Sequence, residues 1–170
     1  LGRGRVSVTR RRRRSDAQPS RPRANRCPRC WAGGVQVAMH TGRTASFEVQ
    51  ACDRCGGVWL DLLAADKVLS ELSESPIGQP PALLCPSCDR GMPPVWAAEA
   101  QVTVDRCAEH GVWFDPRELE AVCVAAAQRQ GKPRPRLPSP GVTAVGAGAI
   151  AAAAAASAAA AYAVLDGPEP

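Results

Sequence analysis

The sequence predicts a small α+β fold built twice in tandem and held by metal rather than by a large core. Three observations carry this. First, the knuckle Cys27-Pro28-Arg29-Cys30 is answered by Cys52-Asp53-Arg54-Cys55, and Cys85-Pro86-Ser87-Cys88 by Cys107-Ala108-Glu109-His110. Second, alternating segments of strand length lie between the two knuckles of each set, and helix-spaced apolar residues follow. Third, aromatic residues make up only 4% of the 170. Units of about 40 residues with so little aromatic bulk need a metal or crosslinks to fold.

Two thiols three positions apart, paired with a second such knuckle about 20 residues on, make the spacing of a tetrahedral zinc site. The ligands expected are Cys27, Cys30, Cys52 and Cys55 for one ion, and Cys85, Cys88, Cys107 and His110 for another, giving two Zn²⁺ per chain. Sulfur-rich tetrahedral donors favour zinc, with an iron–sulfur centre the main chemical competitor. A redox dithiol would need one active pair in a βαβ setting, not four interlocked half-sites. The predicted class is therefore a small zinc-stabilised α+β fold of two tandem zinc ribbons, each a β-hairpin between two zinc knuckles and then a short helix. Four protein ligands close each site to water and substrate, so the zinc is expected to be structural, and no catalytic residues are assigned. Such a site can contribute roughly 10–16 kcal/mol of apparent binding energy, comparable with the stability of a whole small domain.

Within unit one, residues 27–73, Val35 to Met39 alternates like a half-buried strand, Thr41-Gly42-Arg43 reads as a hairpin loop, and Phe47 to Ala51 alternates again into Cys52. After Asp61, Leu62, Leu63, Val68, Leu69 and Leu72 recur at helical spacing. Residues 74–84, with Ser75, Pro76, Gly78, Pro80 and Pro81, read as a linker. Unit two, residues 85–125, repeats the plan: a strand at Val95 and Trp96, and another at Gln101 to Asp105 leading to Cys107. Asp115-Pro116-Arg117-Glu118 then predicts a helix start with Asp at N-cap, Pro at N1 and Glu at N3. Cys123 falls on the apolar helix face as a buried small hydrophobe. His40 has no matching ligand in the second unit and reads as a surface residue. Trp31, Trp59, Trp96 and Trp113 are expected mostly to cover the thin layer between metal and helix.

Outside the units the composition changes. Residues 1–26 hold ten arginines and one acid and read as a disordered leader, without the apolar run of a signal peptide. Residues 126–140 form a basic Pro-rich linker. Residues 141–165 are an Ala-rich apolar helix, in which 142–165 is a candidate transmembrane segment: 24 residues without a charge, 14 of them Ala. At about 1.5 Å each they would span a bilayer core. Residues 166–170 are an acidic tail. Basic residues on one flank and acidic ones on the other would put the zinc units inside, in the cytoplasm, with the helix anchored in the inner membrane. A reducing cytoplasm also suits CxxC thiols that bind metal rather than form disulfides.

The run Cys52-x-x-Cys55-Gly-Gly-Val-Trp-Leu-Asp61, preceded by Cys27-Pro-x-Cys30, resembles the bacterial transcription-factor zinc-finger family of the TFIIB type. Cys107-x-x-His110-Gly-Val-Trp-Phe-Asp-Pro-x-Glu-Leu119 is similar to its His-containing variant. The resemblance implies a zinc ribbon followed by a short helix that opens on an Asp and a Glu-Leu pair. Ala64-Ala65 stands in unit one where that pair is usual, away from the metal ligands.

Charge separates the function classes. From Cys27 to Cys123 there are seven Lys/Arg against thirteen Asp/Glu, a balance of −6. An acidic folded part does not supply the clustered cations that phosphate contact needs. The expectation is a zinc-stabilised protein-interaction or regulatory module with an unidentified protein partner, tethered to a membrane through 142–165. Nucleic-acid binding through the Arg-rich leader is the alternative, and a zinc-linked thiol-redox chaperone the third reading.

Overall fold

A computed structural model describes residues 25–43 and 48–132. Residues 1–24 of the expected leader, the alanine-rich segment and the acidic tail lie outside the described residues, as do residues 133–140 of the expected linker; Arg26, read as part of a disordered leader, instead bridges to Ala38.

The chain opens with helix α1 (Pro28–Ala32) inside the first knuckle. Pro28 sits in its first turn, where no amide donor is needed, and the Cys27 sulfur caps it by accepting the Cys30 N–H at 3.4 Å. Strands β1 (His40–Arg43), β2 (Glu48–Ala51) and β3 (Val58–Asp61) follow. Helix α2 (Leu62–Leu69) starts on Asp61, whose carboxylate accepts the Ala64 N–H at 2.8 Å. Then come β4 (Glu74–Pro76), β5 (Leu83–Leu84), β6 (Gly91–Met92), β7 (Pro94–Ala97), β8 (Val102–Cys107) and β9 (Gly111–Phe114), and finally α3 (Glu118–Arg129).

Several sequence expectations shift. The strand expected at Val35–Met39 contributes only the bridge Arg26↔Ala38, and β1 begins at His40, over the residues read as a loop. The segment read as a linker carries β4 and β5, and β4 pairs with β7 despite Pro76 because it is an edge strand. Helix α3 does not start on Asp115. Arg117 takes a left-handed conformation (φ 74°), and the first helical residue is Glu118. Half of the expected reciprocal cap survives, since Glu118 Oε2 accepts the Asp115 N–H at 2.7 Å.

The two halves do not stand as beads on a string. Seven strands form one antiparallel sheet in the order β1-β2-β3-β9-β8-β7-β4, so the strand after each second knuckle pairs with its counterpart. The register is symmetric about one pair: Val58↔Phe114, Trp59↔Trp113, Leu60↔Val112. Period-two alternation then divides the side chains. Val49, Val58, Leu60, Val104, Val112 and Phe114 face α2 and α3 and make one core with Val68, Leu69, Val122 and Cys123. Trp59 and Trp113 point to the opposite face, where they join the metal-site cysteines, Met39, Leu83 and Met92. Leu63, grouped with the apolar helix residues by spacing, is 78% exposed.

Candidate metal centres

Both clusters form on the face of the sheet opposite the helices. In the first, Cys27 and Cys30 come from the α1 knuckle. Cys52 and Cys55 come from a turn closed by Gly56 N–H to the Cys52 carbonyl (2.8 Å) and Cys52 N–H to the Gly57 carbonyl (2.9 Å). In the second, the Cys85–Cys88 knuckle is closed by Asp89 N–H to the Cys85 carbonyl (2.9 Å) and Cys85 N–H to the Arg90 carbonyl (2.8 Å). Cys107 ends β8, and His110 directly precedes β9.

Each quartet gathers its four donor atoms within 4.8 Å of one another. Sulfurs of Cys27 and Cys55 lie 3.5 Å apart, those of Cys30 and Cys52 3.7 Å, and those of Cys88 and Cys107 3.9 Å. The Cys107 sulfur is 3.5 Å from His110 Nδ1. A tetrahedron with Zn–S bonds of about 2.3 Å has S···S edges of about 3.8 Å, and an S···N edge of about 3.6 Å with a typical Zn–N bond. These distances match, and no disulfide is present among the described residues. Electrostatics agree with the need for a cation. Hydrogen bonding from Cys27 pulls the Cys55 thiol down to about 5, while the partner Cys27 is held far up by the same contact and by burial. Sulfurs gathered this closely are soft donors whose thiolate form a divalent cation stabilises.

The remaining sequence assignments fall as follows. Cys123 is 1% exposed and lies in the helix core; burial pushes its thiol up to about 12, so it is no nucleophile. His40 is half exposed, with Nε2 3.2 Å from Asp53 Oδ2. Trp59 and Trp113 are buried, Trp31 carries the Arg26 guanidinium 4.2 Å above its ring, and Trp96 is partly exposed.

Sequence reasoning missed two features. Gly57 and Gly111, which precede β3 and open β9, are the seats of the opposing tryptophans. A Cβ on Gly57 would stand 2.7 Å from Trp113 Cη2, and one on Gly111 would meet the Trp59 ring at 3.0 Å. The repeated Gly-Val-Trp at 57–59 and 111–113 is the signal that could have shown this.

The second feature is a partly buried cluster of carboxylates, Asp105, Asp115 and Glu118, beside the first knuckle. Arg29 Nε donates to Asp115 Oδ1 at 2.9 Å, with Asp105 Oδ2 3.8 Å from the same guanidinium. Trp113 Nε1–H also donates to Asp115 Oδ1 at 2.9 Å, which explains why this carboxylate is not free to cap α3. Burial, with Asp115 and Asp105 nearby and Arg29 opposing them, raises Glu118 to about 7. Folded Glu118 thus holds its proton longer than the unfolded chain does. Its contribution is fully present below its ordinary value of 4.5 and is lost as pH rises through about 7. Relative to the parent, Glu118→Gln should gain about 1 kcal/mol in unfolding free energy between about pH 6 and pH 8. Denaturant titrations with zinc saturating measure this, and a difference that does not grow with pH sinks the assignment.

These observations define a class: a small α+β fold stapled by zinc, with two zinc ions per chain. The model of the family described as transcription factor zinc-finger, a TFIIB-type zinc ribbon, matches residues 26–71. The second cluster, at 85–110, is compatible with the same kind of site. No curated protein and no solved structure matches the chain.

Proposed function

We propose that the chain is a protein-interaction or regulatory module in which all eight residues, Cys27, Cys30, Cys52, Cys55, Cys85, Cys88, Cys107 and His110, ligate structural zinc. On this reading residues 85–125 are a second, His-containing copy of the ribbon at 27–73, and the zinc serves the scaffold rather than a reaction. The observation that carries it is the pairing of four arginines of the described region with carboxylates. Arg26 pairs with Asp89, Arg29 with Asp115, Arg90 with Glu109, and Arg106 with both Asp66 and Glu74. Guanidinium groups already neutralised by carboxylates on an acidic body are poor phosphate ligands. The geometry therefore favours recognition of a protein over recognition of nucleic acid.

The Arg-rich leader, with ten arginines and one acid over residues 1–26, is the basic run that could hold nucleic acid most readily, without reading sequence. Salt-titrated binding of a duplex and of a single strand, by the full chain and by residues 25–132, separates the readings. The short form is expected not to bind, and any affinity of the full chain should fall steeply with salt. Tight binding by residues 25–132 would overturn the proposal.

The same reading makes 142–165 the tether that holds the zinc units at the cytoplasmic face of a membrane. Among the described residues no helix is long and apolar enough to cross one, and this segment lies outside them. Detergent-phase partitioning of the full chain, lost on deletion of 142–165, is the expected result; an aqueous full-length chain refutes the tether.

A further inference from the structure

We propose that the two zinc sites load cooperatively, so that an ion in either raises the affinity of the other. This rests on the eight-ligand assignment above, and four links between the sites carry it. The α1 knuckle of the first site packs on β5, which runs directly into Cys85 of the second. One apolar cluster holds cysteines of both sites together with Trp59 and Trp113. Each tryptophan lies against a glycine within two residues of the other half's second knuckle: Trp113 on Gly57, Trp59 on Gly111. Finally, arginines beside the first site's ligands reach carboxylates of the other half. Arg26, next to Cys27, pairs with Asp89, next to Cys88; Arg29, between Cys27 and Cys30, pairs with Asp115.

These links make each knuckle a packing surface for the other half. Without its ion, a knuckle loses the restraint that holds its turn, and with it the seat for the opposing tryptophan and the arginine's anchor. The second site must then order those groups as it binds, which lowers its affinity. The first ion has already ordered them for the second, so the coupling is positive. Arg29 acts here as a positioning residue, since it touches no donor atom of the zinc but fixes the knuckle that carries two of them.

The test is zinc titration of the metal-free, fully reduced full-length chain followed by native mass spectrometry. At half loading, two independent sites of any affinities leave at least about half of the chains with one ion, and only positive coupling pulls that share lower. The expected single-ion share is below about a fifth, which a roughly 20-fold or greater coupling between matched sites produces. A share of half or more overturns cooperativity. Arg29→Ala should raise the single-ion share while still saturating at two ions; an unchanged share removes Arg29 from the link. Saturation below two ions in the parent chain would instead overturn the ligand assignment, and the coupling with it.

Discussion

Removing zinc with a chelator under reducing conditions is expected to unfold the whole described region, helices included. The strands that carry the helix-side core also carry the ligands: β2 runs from Val49 and Ala51 into Cys52, and β8 from Val104 into Cys107. Without metal, each quartet leaves four donor atoms within 4.8 Å of one another, largely out of water. Sulfurs this close that ionise repel one another unless a cation lies between them. A structural zinc contributes roughly 10–16 kcal/mol of apparent binding energy, as much as or more than the net stability of a typical domain. Circular dichroism and amide proton dispersion should therefore collapse together and return when zinc is restored. Native-like dispersion from a protein verified to be zinc-free would show that the helix-side core suffices by itself.

Gly111→Ala should be the most damaging single substitution outside the ligands. The residue has φ 146°, a region L side chains rarely adopt. A methyl group there would collide with the Leu60 carbonyl oxygen, besides standing 3.0 Å from the Asp61 Cα and from the Trp59 ring. The clash is with backbone in the central β3–β9 pair, so no rotamer change relieves it. Overpacking and backbone strain together put the cost on the order of 3–6 kcal/mol. Gly34→Ala is the control: it also has a positive φ, 80°, but a Cβ would meet nothing within 4 Å. Its cost should stay near 1–2 kcal/mol, the ordinary left-handed penalty. Zinc-saturated denaturant melts compare the two, and equal destabilisation would mean that the β3–β9 ladder accommodates the methyl group as well as the turn does.

Much of the metal chemistry was legible in the residues because it is local. Within a knuckle, ligand spacing is set by a turn of four residues, and a CxxC pair states its own geometry. The four-Cys and three-Cys-one-His sets assemble as the spacing predicts. The strands before each second knuckle, β2 and β8, lie within a residue or two of their alternating segments. Cys123 packs in the core as its helical position implies.

Other expectations failed where a neighbour distant in sequence overrode a local rule. Asp61 caps its helix, but Asp115, in the matching position, does not. Its carboxylate is held by Arg29, 86 residues away, and by the Trp113 indole. Residues 74–76 look like linker on composition, yet they form a strand because the outer edge of β7 offers unpaired backbone groups. Strand β3 escaped notice because Val58-Trp59-Leu60 is a short apolar run without alternating polar residues. Such a run belongs to a strand buried on both faces, and the second face exists only once the other half has docked.

The sequence alone determined that this protein holds two zinc ions, which residue types surround them, and that its folded part is acidic. Those properties depend on residues within a few tens of positions and on composition. Only the tertiary structure decided that the two halves share one sheet, with Trp59 opposite Trp113 and each ring resting on the other half's glycine. Pairing between β3 and β9 joins segments about fifty residues apart, and nothing in either segment names its partner. It is chosen by mutual burial: each half has a tryptophan too large for its own thin metal layer, and the other half supplies the cover.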